Sequence, residues 1–265
     1  QALPSYICRT PPGAAQRITR HTGMAGAPKV VAKPVALPDG CPCELPLDRT
    51  ALVIIDMQVD FLDPKGFGAC LGNDVSVCHP IVAPCEALLA FWRKLGGHVM
   101  FTLEAHLPDL SDCPPAKLNG RRTPPEGKRI GDVLSPDMGR ILVRGEPGNA
   151  IIKPLTPLPG EKVVHKSGKD MFYNTDVAEH LRGLGITHLV FCGVTTEVCV
   201  QTSMRAANDR GYECVVLEDC TASYFPVFKQ STLEQLRAQG GIIGWTASSK
   251  DLMASVSAAA PRSRL

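Results

Sequence analysis

Three polar residues of this chain follow apolar runs and carry complementary chemistry. Cys199 lies in Gly193-Val194-Thr195-Thr196-Glu197-Val198-Cys199-Val200, directly after the apolar run His188-Leu189-Val190-Phe191-Cys192. Asp56 ends the run Ala51-Leu52-Val53-Ile54-Ile55. Lys166 ends Glu161-Lys162-Val163-Val164-His165, just before a glycine-containing turn. Taken singly, each has an ordinary reading: a small buried thiol, a solvated strand-end carboxylate, a surface lysine. Taken together they make a nucleophile, a proton acceptor and a cation. The cation lowers the thiol pKa, the carboxylate moves the proton, and the thiolate attacks a carbonyl.

The elements that must position them follow from the sequence pattern. Apolar β-like runs alternate with helix-like segments from Ala51 onward. Strands are expected to end at Asp56, over His98 to Leu103, Ile141 to Val143, Lys162 to His165, before Gly193, over Glu213 to Leu217 and over Ile242 to Trp245. Helices are expected over Ile81 to Leu95, Asp176 to Leu184, Gln201 to Asp209 and Val227 to Gln239. Asp176 and Glu179 have capping-box spacing. With Thr196 as N-cap, Cys199 falls in a first helical turn, where the helix dipole favours a thiolate. Such alternation predicts an α/β fold: a three-layer, doubly wound, Rossmann-like and mainly parallel six-stranded sheet. In a parallel sheet the ends of the strands share one edge, so Asp56, Lys166 and Cys199 can converge there.

The motifs also resemble those of a known family. Asp56-Met57-Gln58-Val59-Asp60-Phe61 is similar to the D-x-Q-x-D-F opening of the isochorismatase-like cysteine hydrolases. Lys166, Phe172 and Thr175 resemble their K-x5-F-x2-T block, and the Cys199 segment resembles their G-x-x-T-x-x-C-V turn. The likeness covers roughly residues 45 to 250. It implies an Asp56–Lys166–Cys199 triad, a cis peptide at Val194–Thr195 that aims an oxyanion donor, and amide hydrolysis through a thioester. Within the family, the stretches Arg140 to Gly148, Pro157 to Glu161, Thr102 to Leu110 and Ala206 to Cys214 look like those of biuret hydrolases. Asn149 departs from the aromatic common there. The resemblance implies a substrate contact from Gln239, which reads equally as a solvated residue at a helix end. Phe61 and Phe172 are further substrate-binding candidates, as are Glu104 and His106, which either shape the pocket or hydrogen-bond each other. Ureidoacrylate, triuret and N-carbamoyl amidohydrolases share much of the pattern and stand as the alternative to biuret. A silent binding protein or a redox-thiol protein is the alternative outside hydrolysis, with Cys192 and Cys220 as candidate resolving thiols.

Composition bounds the partners. Lys and Arg number 28 against 26 Asp and Glu, a net charge of +2, and aromatics are only 5%. No basic patch interleaved with aromatics is present, which argues against nucleic-acid binding. No apolar run is read as reaching the ~20 residues of a membrane span. The 11 cysteines are odd in number and lack framework spacing, which suggests reduced thiols. Glu104-Ala105-His106 sits where nicotinamidases of the family carry an Asp-x-His metal motif, but Leu110 stands in place of a further ligand. A carboxylate and one imidazole are too few, so neither a metal nor a cofactor is expected. Cys41-Pro42-Cys43 has the wrong spacing for zinc.

The chain divides into an N-terminal arm or targeting remnant (1–45), a hydrolase domain (46–252) and a flexible tail (253–265). Residues 107 to 139 read as a long loop, either functional or covering. The terminal Ser263-Arg264-Leu265 resembles the Ser-Lys-Leu peroxisomal address. The family likeness implies a homotetramer acting on a small ureido or amide compound.

Overall fold

Thr50–Ile55 (β1) is buried at all six positions, as expected of a strand covered on both faces. It lies inside a six-stranded sheet. The others are His98–Glu104 (β2), Lys162–Lys166 (β3), His188–Val194 (β4), Glu213–Ala222 (β5) and Trp245–Ala247 (β6). Their spatial order is β3-β2-β1-β4-β5-β6, with every neighbouring pair parallel. The chain therefore winds outward in one direction after β1 and in the other after β4. The crevice between the ends of those two strands is where doubly wound sheets place ligands. The computed structural model describes residues 35–36, 43–118 and 127–259.

Two layers cover the sheet. Side chains of β1 alternate: Leu52 and Ile54 enter one core, Ala51, Val53 and Ile55 the other. The first core is closed by Val82–Lys94 (α1) and Ser249–Ala259 (α5), through Cys85, Leu88, Leu89, Trp92, Leu252 and Val256. The second is closed by Val177–Gly183 (α2), Gln201–Asn208 (α3) and Pro226–Gly241 (α4), through Leu181, Met204, Ala207, Leu233 and Leu236. Each fully buried leucine of this kind contributes about 1.5–3 kcal/mol by leaving water.

Several sequence expectations change here. Ile141 to Val143 is buried but is not a strand: Leu142 has φ 52, and a single bridge joins Val143 to His106. The last strand starts at Trp245, three residues later than expected, because Gly244 with φ 157 and its neighbours turn the chain first. Residues beyond 252 do not begin a tail, since α5 runs to Ala259 and seats Val256 in the core. At the other boundary, Val35–Ala36 pairs antiparallel with Glu44–Leu45, and Leu45 is fully buried, so the arm joins the domain before residue 46. Asp176 does stand at the N-cap of α2, but its carboxylate makes no cap bond and pairs with Lys162 at 2.5 Å instead. Val75–Lys94, a 3-10 segment continuing into α1, has the length and apolarity of a membrane span, contrary to the reading from sequence. Its Cys78, Ile81, Cys85, Leu88 and Trp92 are nonetheless packed into the first core. Cys41, Pro42, most of the arm and Ser263-Arg264-Leu265 lie outside the described residues.

One glycine is required at the crevice. Gly193 pairs with Ile55 in the β1–β4 ladder and has φ 111. A Cβ there would lie 2.0 Å from the Ile55 carbonyl oxygen, so only glycine lets the two strand ends close together.

Candidate active site

Asp56 is the first residue past β1 and takes a left-handed backbone conformation, φ 48. Its N–H donates to the Thr102 carbonyl at 3.1 Å and to the Thr102 hydroxyl at 3.2 Å. That hydroxyl in turn donates to Asp56 Oδ1 at 2.6 Å. The other carboxylate oxygen, Oδ2, lies 2.7 Å from Lys166 Nζ, with both side chains fully buried. Lys166 closes β3 and also donates to the Gly168 carbonyl at 3.1 Å. Cys199 comes from the other side of the crevice, in a π-helical turn, Thr196–Val200, that leads into α3. Such turns recur at functional sites. Thr195, not Thr196, occupies the cap position, and the Thr196 hydroxyl is spent on Thr221 at 2.8 Å.

A second carboxylate completes the centre. Glu104, the last residue of β2, is 1% exposed, and its Oε2 is 3.8 Å from Cys199 Sγ. Donor atoms of Asp56, Glu104 and Cys199 all lie within 4.8 Å of one another. Two oxygens and a sulfur so placed could in principle hold a cation. Here the carboxylates already face ammonium groups: Lys166 at Asp56, and Lys169 and Lys117 at Glu104, each at 2.7 Å. The donor set is therefore matched by fixed lysines and does not fit a metal. Lys117 also reaches the Ser167 carbonyl, so Glu104 joins two loops at the strand edge.

These charges set the ionisation of the site. Burial works against charge on Lys166, but Asp56, Cys199 and Glu104 outweigh it and hold the ammonium well above the usual lysine range. Burial likewise opposes charge on Glu104, yet Lys169, Lys166 and Lys117 keep the carboxyl far below the usual carboxylate range. For Cys199 the balance goes the other way. Burial pushes the thiol up, Lys166 and Lys169 pull it down, and Asp56 and Glu104 oppose them, leaving it well above an ordinary thiol. Burial of the sulfur thus opposes the thiolate that the sequence reading favours, and Asp56 and Glu104 are carboxylates close to it.

Cys199, Glu104, Val194 and Thr195 line a cavity of about 260 Å³, together with Phe61, Phe67, Tyr224 and a set of cations. The Val194–Thr195 peptide is cis, as the family resemblance implies. Three expected contacts do not reach this cavity. Phe172 is buried in the second core, stacked on Tyr212 at 6.0 Å with the Arg210 guanidinium over its ring. Gln239 is exposed with φ 53, where α4 breaks at its C-terminal end, so its solvated reading holds. His106 is fully buried behind the strand edge, Nδ1 at 3.5 Å from Asp112 and Nε2 at 3.7 Å from Cys113. It does not bond Glu104, contrary to one reading of the pair. Cys192 and Cys220 contact Cys85 in the first core and not Cys199, so they cannot resolve an oxidised nucleophile.

Other site residues escaped the sequence reading. Gln58, inside the matched D-x-Q-x-D-F block, holds the backbone of Glu104 by accepting its N–H at 2.8 Å and donating to its carbonyl at 3.2 Å. Asn149 Nδ2 donates to the same carbonyl at 2.9 Å, which gives this departure from the family pattern a structural task. Lys117, Lys128, Arg129 and Lys169 carry no periodic signal, and their convergence depends on loop geometry.

Comparison with known proteins agrees with this geometry. Residues 50–248 match the isochorismatase domain. The chain is 33% identical to the ureidoacrylate amidohydrolase RutB of Pantoea ananatis, over 69% of this chain and 72% of that protein. It is 31% identical to RutB of Rhizobium rhizogenes, over 89% and 95%. Its fold superposes on an isochorismatase family protein of Desulfovibrio vulgaris with TM-score 0.63 at 28% identity, covering 79% of this chain and 98% of that one. The chain belongs to the isochorismatase family, as a hydrolase of non-peptide carbon–nitrogen bonds.

Proposed function

We propose that the chain is a cysteine amidohydrolase of small ureido acids, with a ureidoacrylate-type compound as substrate. The observation that carries this reading is the charge of the cavity wall. Among the described residues, Lys117, Lys128, Arg129 and Lys169 line it against the carboxylate of Glu104, between apolar surfaces from Phe61, Phe67 and Val198. A cavity of about 260 Å³ with that wall suits a compact anion. Ureidoacrylate carries a carboxylate, whereas biuret is neutral. The relatives at 31–33% identity are ureidoacrylate amidohydrolases, which supports the same choice.

Biuret is the second reading, on the sequence likeness. Of the stretches that carry it, Glu104 and Leu142 line the cavity, while the arginines hold loops together. Arg140 bonds the Gly131 and Pro108 carbonyls, and Arg144 pairs with Asp112.

The mechanism follows from the residues. Asp56 takes the Cys199 proton as sulfur attacks the ureido carbonyl carbon, forming the C–S bond. Lys166 stabilises the sulfur's developing charge and holds Asp56 in place. Backbone N–H groups of Thr195 and Cys199 face the oxyanion, each worth ~3–4 kcal/mol. The C–N bond then breaks, and Asp56 returns its proton to the departing nitrogen, which leaves as ammonia. Water, activated by Asp56, adds to the thioester carbonyl, the C–S bond breaks, and the thiol is restored. Assembly as a homotetramer and delivery by Ser263-Arg264-Leu265 to peroxisomes belong to the same proposal.

The test is ammonia release from ureidoacrylate, biuret, triuret, N-carbamoylsarcosine and nicotinamide, with wild type and Cys199→Ala. The expected result is Cys199-dependent release that is fastest from ureidoacrylate. Faster release from biuret would replace the substrate, and release that survives Cys199→Ala would overturn the chemistry.

A further inference from the structure

Asp56 holds its carboxylate at the crevice from a backbone conformation that L-residues seldom adopt, φ 48. Thr102 touches both parts of this residue, and its backbone carbonyl also takes the Asp56 N–H at 3.1 Å. Thr102 is fully buried on β2, directly opposite Ile55 in the parallel ladder. Its hydroxyl accepts the Asp56 N–H at 3.2 Å and donates its own hydrogen to Asp56 Oδ1 at 2.6 Å. A single side chain thus grips the backbone and the carboxylate of the same residue.

We infer that Thr102 is a positioning residue for the proton transfer. With Oδ1 held by the hydroxyl, the remaining oxygen is Oδ2, the one 2.7 Å from Lys166 Nζ, and the carboxylate lies in the cluster with Glu104 and Cys199. Partial rotation of the carboxylate about its Cβ–Cγ bond would tilt its plane and swing the free oxygen away from Lys166. The charge-assisted bond from Thr102 opposes that rotation, and short bonds of this kind are among the stronger ones in proteins. The methyl group of threonine cannot do this, and neither can an isosteric valine.

The inference rests on the proposed thiol chemistry, and its test includes a readout that needs no substrate. Thr102→Val, Thr102→Ser and Thr102→Ala are compared with wild type for kcat and KM, and for the rate at which iodoacetamide alkylates Cys199. Alkylation requires the thiolate, so its rate also reads how readily the sulfur's proton is taken up by Asp56. Thr102→Val is expected to lower kcat by roughly 10- to 100-fold, as for loss of one hydrogen bond to a charged group, with KM within about twofold. Alkylation of Cys199 is expected to slow by a similar factor, and Thr102→Ser to recover most of both. Should Thr102→Val fail to fold, the serine and alanine variants differ by the same hydroxyl and decide the point. Equal rates for serine and alanine, or wild-type alkylation in Thr102→Val, would overturn the inference. If wild type turned over none of the ureido compounds, the substrate reading would fail while the alkylation series still judged Thr102.

Discussion

Two buried thiol sites lie on opposite faces of the same sheet. Cys199 sits in the crevice with Lys166 beside it and the carboxylates of Asp56 and Glu104 around it. Cys85, Cys192 and Cys220 meet one another in the first core, where Asp219 adjoins all three and Lys229 adjoins Cys220, but among the described residues no lysine adjoins Cys85 or Cys192. All of these thiols are raised: Cys85 and Cys220 first by hydrogen bonds to neighbouring thiols and then by burial, Cys192 against its bond to Cys85 by burial, and Cys199 by burial. A raised thiol alone therefore does not distinguish a nucleophile. The difference is the company of charges. At Cys199 a carboxylate can receive the proton while a fixed ammonium offsets the charge left on sulfur. Among the described residues Cys85 and Cys192 have no such pair, and a thiolate there would have no adjoining cation to balance it.

The sharpest way to break this comparison is to remove each sulfur in turn. Cys199→Ala is expected to abolish turnover, by at least ~10³-fold, with the melting temperature little changed. Cys192→Ala is expected to leave kcat within about threefold and to cost stability, about 1–3 kcal/mol for a small cavity in a packed core. Denaturant melts and steady-state rates on the same preparations check both. Next comes the fixed cation. Lys166→Met leaves Asp56 as an uncompensated buried charge, so it is expected to remove activity and destabilise by about 3–5 kcal/mol. Urea unfolding followed by far-UV circular dichroism gives that figure.

Glu104→Gln tests whether the second carboxylate matters to the loops it joins. Lys117 and Lys169 lose their counter-charge, and a several-fold rise in KM is expected, together with faster proteolysis of the loops around residues 117 and 169. Unchanged KM and unchanged cleavage would show that Glu104 serves the sulfur alone.

The smallest effect concerns Asp60, which burial pushes up to about 6, against N–H bonds from Leu142 and Phe67 that favour its charge. A carboxyl raised in the folded state binds its proton more tightly there than when unfolded. Its stabilising share is complete below pH 3.8 and is lost as pH rises to about 6. Asp60→Asn is expected to flatten that part of the stability profile, by about 1–3 kcal/mol between pH 4 and pH 7. Melting temperatures across this range provide the check.

Much of this site was legible in the sequence because apolar runs mark the strands and the strand ends mark the crevice. Asp56, Lys166 and Cys199 each follow such a run, and parallel pairing brings them together. Thr102 was not legible, because a threonine inside a strand reads as β-propensity and nothing in spacing reveals that its hydroxyl reaches Asp56. Phe172 and Gln239 failed for the opposite reason: their motif positions are visible, but the direction of a side chain is not. Ile141 to Val143 has strand composition, yet it supplies a buried turn whose Leu142 N–H is taken by Asp60 at 3.0 Å. Helix α5 lay unseen in a stretch of small residues whose Leu252 and Val256 fill the first core.

The most direct measurement is intact-protein mass spectrometry after rapid acid quench of wild type mixed with ureidoacrylate, with Cys199→Ala alongside. Covalent catalysis by Cys199 predicts an adduct equal to the substrate less ammonia, mapped by peptide digestion to Cys199 and absent from the variant. Turnover with no adduct at any quench time and undiminished in Cys199→Ala, or an adduct on a different residue, would contradict it.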